Sequence, residues 1–113
     1  MNPEKFSQDM EEARKLMYRA KSLWGEESQK RICIEEMAEL TQALCQLQRG
    51  RCGEEEVISE IADVFIATMT CAEVFGSDKV GEAITKKLAK YRGAVERAEA
   101  WKEAAEKKDV SAG

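Results

Sequence analysis

The segment from Val57 to Phe75 constrains this chain most, because it has almost no polar face. Projected as a helix at about 100° per residue, it spreads Ile58, Ile61, Val64, Phe65, Ile66, Met69 and Phe75 around most of its circumference. A helix that is apolar on nearly every side is a buried helix. A chain of 113 residues forms only a modest core, so a single copy can cover only part of such a helix. The sequence therefore predicts a homodimer whose joint core includes this segment, with two-fold symmetry as the default.

The rest of the chain follows the same helical pattern. Proline occurs once, at Pro3, and glycine is sparse, so long periodic segments run uninterrupted. The spacing predicts a first helix over 4–24, with Phe6, Met10, Ala13, Met17, Ala20 and Trp24 as its apolar stripe. Gly25 suits the position just past its end, and Ser28 is a candidate cap for a second helix over 29–49. Gly50 closes that helix, and a basic link to Gly53 follows. Glu54, Glu55 and Glu56 open the third helix (54–75), where acids complement the positive end of the helix dipole. Ser77 or Asp78 caps a fourth helix carrying Val80, Ile84, Leu88, Tyr91, Val95 and Ala98 at helical spacing. Its later part is a charged rod to about residue 107. The expectation is one all-α domain over 1–108, a four-helix up-and-down bundle completed by homodimerisation, with residues 109–113 as a frayed tail.

Several classes are excluded or disfavoured. The net charge of −4 gives no basic footprint for a nucleic-acid polymer. The longest uncharged run, Val64 to Ala72, is too short for a membrane span. The charged N-terminal segment does not read as a signal peptide. Cys33, Cys45, Cys52 and Cys71 match no zinc spacing, and histidine is absent. The cysteines within helices read as small core residues with reduced thiols, which fits a cytoplasmic protein. Without histidine, a Ser or Cys nucleophile lacks its usual base, and a ferritin-like di-iron site lacks its ligands.

What remains is a set of acids in apolar surroundings. Glu36 and Glu39 share one side of the second helix, and Glu60 and Asp63 share one side of the third. Glu36 falls within the sector of Ile32, Cys33, Leu40, Ala43 and Leu47, and Asp63 shares its stripe with Ala67, Thr70 and Val74. If the two helices pack antiparallel, the four carboxylates converge. Buried like charges repel and are costly to desolvate, so they call for a hard divalent cation with oxygen ligands. Magnesium fits, and manganese is possible. Magnesium usually shares its shell with substrate phosphates, which makes hydrolysis of a phosphate ester or anhydride the natural chemistry.

The run Ile34-Glu35-Glu36-Met37-Ala38-Glu39-Leu40 and the run Glu60-Ile61-Ala62-Asp63-Val64 resemble the metal-binding motif of the MazG-like all-α NTP pyrophosphatases. That superfamily includes dimeric dUTPases, dCTP pyrophosphatases and phosphoribosyl-ATP pyrophosphohydrolases. The resemblance covers about residues 29–91. It implies hydrolysis of a nucleoside triphosphate to the monophosphate and pyrophosphate, magnesium as cofactor, and a homodimer or a tetramer of such dimers. Glu36, Glu39, Glu60 and Asp63 would be the metal ligands, with Glu36 also in the catalytic group. Glu35 would hold a second metal or position the attacking water. Lys87, Lys90, Tyr91 and Arg92 resemble the family's basic segment. Lys87, Lys90 and Arg92 would hold the phosphates, although a solvated lysine face with Tyr91 packed inward accounts for the same residues. Gln29 and Tyr91 would touch the base or sugar. Trp24 would stack on a base or simply end a packing stripe. A house-cleaning role towards surplus nucleotides is the resulting expectation. The alternatives are a phosphoribosyl-ATP pyrophosphohydrolase and a non-catalytic nucleotide- or metal-binding dimer.

Overall fold

A computed structural model describes residues 1–112. It contains helices α1 (Pro3–Trp24), α2 (Glu26–Gln48), α3 (Glu54–Phe75) and α4 (Ser77–Ala112), with no strand among the described residues. The all-α class expected from the sequence is observed. The chain divides into two units, Met1–Ser77 with α1 to α3, and the remainder with the body of α4. Among the described residues, no helix is long and apolar enough to cross a membrane.

Local chemistry sets the helix ends. The Asn2 side chain accepts from the Lys5 amide at 3.1 Å, and Pro3 occupies the first turn, where its missing N–H costs nothing. Gly25 has φ +85°, a conformation that side chains rarely adopt. It ends α1 by donating its amide to Lys21 O, and it begins α2 by accepting from the Gln29 amide. Helix α2 therefore starts at Glu26 and absorbs Ser28, which is not the cap. At the other end of α2, Gly50 (φ +68°) donates to Leu47 O and Arg51 donates to Gln46 O. These paired bonds make a Schellman turn. Cys52 Sγ donates to Ala43 O at 3.4 Å and tucks the link against α2.

In the first unit α2 and α3 run antiparallel. Lys30 Nζ lies 5.5 Å from the centre of the Phe75 ring at one end of the pair, and Glu36 meets Glu60 and Asp63 further along. Helix α1 runs parallel to α3. Phe6 packs edge-on against Phe65 with ring centres 6.3 Å apart, and Lys21 Nζ donates to Glu73 O at 3.4 Å. The core is small. Its apolar members are Met17, Cys33, Val57 and Ala67, joined by Gln29 and Thr70, and among the described residues no large side chain is fully buried. The Thr70 hydroxyl is satisfied by Ile66 O at 2.8 Å.

Helix α4 is a single element of 36 residues, about 54 Å long at 1.5 Å per residue. It stays helical past Asp109, where the sequence suggested a frayed tail, as far as Ala112. Gly113, the end of that expected tail, lies outside the described residues. Cys45 is exposed on α2 rather than packed, whereas Cys33 is buried and Cys71 partly buried.

Met17 is the largest apolar side chain in this core. Met17→Ala should lower unfolding stability by about 2–5 kcal/mol, read as a lower denaturant midpoint with an unchanged slope.

Candidate functional site

Helix α2 presents Glu36 one turn beyond the buried Cys33, and α3 presents Glu60 and Asp63 two turns and one turn before the buried Ala67. Small residues at both positions let the two helices approach closely, which brings the acids face to face. One carboxylate oxygen from each of Glu36, Glu60 and Asp63 lies within 4.8 Å of the others. Glu36 and Glu60 are partly buried, and Asp63 is exposed at the mouth of the group. Oε2 of Glu36 and Oε2 of Glu60 are buried and have no hydrogen-bond partner.

The electrostatics follow from this geometry. Burial comes first in pushing the Glu36 carboxyl above the usual carboxylate range, followed by the charges of Glu39, Asp63 and Glu60. Burial also leads in raising Glu60, with Glu39 and Asp63 adding to it. No cation lies among the causes that act on either group. An all-oxygen set with two buried, unpaired carboxylate oxygens fits a hard divalent cation such as magnesium or manganese, which would supply the missing positive charge.

Of the expected ligands, the structure brings Glu36, Glu60 and Asp63 into one group and leaves Glu39 beside it. Glu39 is close enough to raise both partly buried acids, but it is exposed and lines an adjoining open cleft. That cleft, about 650 Å³, is also lined by Gln42, Gln46, Glu55, Glu56, Ser59 and Glu60. Glu55 and Glu56 thus serve two ends. They sit in the first turn of α3 and add negative charge next to the site. The signal for Glu56 was its place one turn before Glu60, on the same face. Glu35 is exposed and stands outside the converging group.

Gln29 is only 2% exposed and its Nε2 has no partner. It lines a mainly apolar cavity of about 370 Å³ between α1, α2 and α3, with Leu16, Met17, Trp24, Ile32 and Thr70 among its walls. Trp24 remains 65% exposed at that wall, so it does not simply complete the packing stripe of α1. Lys87, Lys90, Tyr91 and Arg92 are exposed on α4, in the second unit. Tyr91 is 69% exposed and does not pack inward in the single chain.

Comparison of the chain with protein-family models, with curated proteins and with solved structures returned no match.

The raised carboxyls fix a sign. A carboxyl whose folded value lies above its unfolded value binds its proton more tightly in the folded state. Metal-free stability therefore falls as pH rises through the interval between the ordinary 4.5 and the folded value. Metal-free protein should melt at a higher temperature in mildly acidic buffer than in neutral buffer. Glu36→Gln should raise the neutral-pH melting temperature and flatten that pH dependence, as read by scanning calorimetry.

Proposed function

We propose that this chain is a divalent-metal-dependent nucleoside triphosphate pyrophosphohydrolase, similar to the MazG-like all-α enzymes, acting as a homodimer in nucleotide-pool house-cleaning. The observation that carries the reading is the meeting of Glu36, Glu60 and Asp63 within 4.8 Å, with two buried oxygens unpaired. A structural bundle gains nothing from such an arrangement, because unpaired buried charge destabilises it.

In this reading Glu36, Glu60 and Asp63 hold magnesium, and Glu39 stands at the flank facing the cleft. A cation held there would neutralise phosphate charge and help activate an attacking water. The protein's own residues supply placement. Through the cation they would hold, the acids place one end of the substrate, and the cavity around Gln29 receives the base, with the unpaired Nε2 donating to a carbonyl or ring nitrogen. Its volume of about 370 Å³ falls within the range of small-molecule pockets. Lys87, Lys90 and Arg92 belong to the phosphate tail and Tyr91 to the base or sugar by resemblance alone. Glu35, the family's candidate for positioning the attacking water, is exposed in the single chain and would act from the rim. Water attacks one phosphorus of the α–β anhydride, the bridging P–O bond breaks, the proton of the attacking water passes to solvent, and the products are nucleoside monophosphate and pyrophosphate.

The homodimer rests on α2 and α3. Ile34, Met37, Ile58, Ile61, Phe65 and Ile66 are 41–64% exposed in the single chain. Burying a large apolar side chain stabilises by about 1.5–3 kcal/mol, so six half-exposed ones represent about 5–9 kcal/mol. That is comparable to the entire stability of a small domain. A second copy is the partner of choice because isologous pairing offers the same apolar face twice. Sedimentation should give twice the chain mass, and Phe65→Asp should shift it towards monomer.

The direct test is pyrophosphate release from a panel of ribo- and deoxyribonucleoside triphosphates with magnesium. Glu36→Gln and Asp63→Asn should each lower turnover by more than the roughly 10–100-fold cost of disturbing a metal's outer shell. Orthophosphate as the product would refute the pyrophosphohydrolase reading. A folded dimer inactive on every triphosphate, and on phosphoribosyl-ATP, would leave a non-catalytic metal-binding module.

A further inference from the structure

We propose that Cys33 and Cys71 form a reversible disulfide that clasps α2 to α3 next to the acidic group. The register of the two helices carries the pairing. On α2, Cys33 lies one turn after Lys30 and one turn before Glu36. On α3, Cys71 lies between Asp63 and Phe75, one turn from the ring. Lys30 faces Phe75 and Glu36 faces Asp63, so the antiparallel pairing places Cys33 within a turn of Cys71 on the facing helix. Both thiols are free, with Cys33 buried and Cys71 partly accessible. The two sulfurs are also electrostatic neighbours: burial first, and then Cys71, push the Cys33 thiol up.

The difference in burial assigns the order of reaction. Cys33 is a poor first nucleophile, because a buried thiol resists ionisation. Cys71 is the accessible partner, and the Lys30 ammonium is near enough for the two to interact. With a peroxide as oxidant, the Cys71 thiolate attacks one oxygen, the O–O bond breaks, and the departing hydroxide takes a proton. The Cys71 sulfenic acid is then attacked by Cys33. The S–S bond forms, the S–O bond breaks, and the oxygen leaves as water with the Cys33 proton. Two electrons pass from the two thiols to the peroxide. The bond fixes the separation of the helices that carry Glu36 on one side and Glu60 and Asp63 on the other.

The experiment is graded hydrogen peroxide on the intact protein, followed by thiol blocking, peptide mapping by mass spectrometry and thermal melting. A Cys33–Cys71 linked peptide, a loss of two hydrogen masses and a melting temperature raised until dithiothreitol is added are expected. Cys71→Ser should abolish all three, and mapping of wild-type protein decides the matter if Cys33→Ala fails to fold. Oxidation of the exposed Cys45, or linkage only between chains, while Cys33 and Cys71 stay reduced would overturn the proposal.

Discussion

Three carboxylates held together across the α2–α3 interface repel one another, and that repulsion is the constraint on which the rest of the first unit depends. Glu36 and Glu60 are partly desolvated and each has a buried oxygen with no donor. The packing that forces them together is ordinary helix packing through small residues, Cys33 on one side and Ala67 on the other. The fold thus spends part of a small core on an arrangement that destabilises it without a counter-charge. Natural chains tolerate that where a ligand restores the balance, because whatever binds only the folded state stabilises it by mass action.

The connections serve this interface. Gly25 turns α1 directly into α2, and the Schellman turn at Gly50 with the Cys52 contact brings α3 back along α2. Together they fix which residue faces which. The same register sets three features along the pair: the Lys30–Phe75 contact at one end, the two thiols next to it, and the acids and their cleft beyond. Helix α1 then closes the third side and leaves the cavity around Gln29. A buried amide and two partly buried carboxylates, all with unmet hydrogen-bonding capacity, lie in the same three-helix unit.

Much of this was legible in the sequence, because helical periodicity and glycine placement are local signals. The bounds of α1 and α3 lie at or within one residue of those expected. The start of α2 was not legible, because Ser28 looks like a cap and only the backbone at Gly25 reveals that one glycine serves both helices. Glu36, Glu60 and Asp63 could be picked out by their apolar neighbours. Glu39 falls at the edge of the apolar sector in projection, and the structure leaves it exposed beside the group. Glu56 was hidden because its place in a first turn explains an acid without any site. The depth of Gln29 and the meeting of Cys33 with Cys71 depend on inter-helix register, to which a single helix projection is blind. Helix α3 reads as apolar all round, and in one chain Ile58 and Ile66 stay exposed, which is the same imbalance seen in the sequence.

Direct measurement of cation binding bears hardest on the site. Manganese titrated into metal-free protein and followed by electron paramagnetic resonance reports occupancy without any assumption about substrate. Saturable binding by the wild type, strongly weakened in Glu60→Gln while the variant stays folded and at least as heat-stable, is the expected result. Undiminished binding in Glu60→Gln, or no binding by the wild type, would contradict a metal centre at the α2–α3 interface.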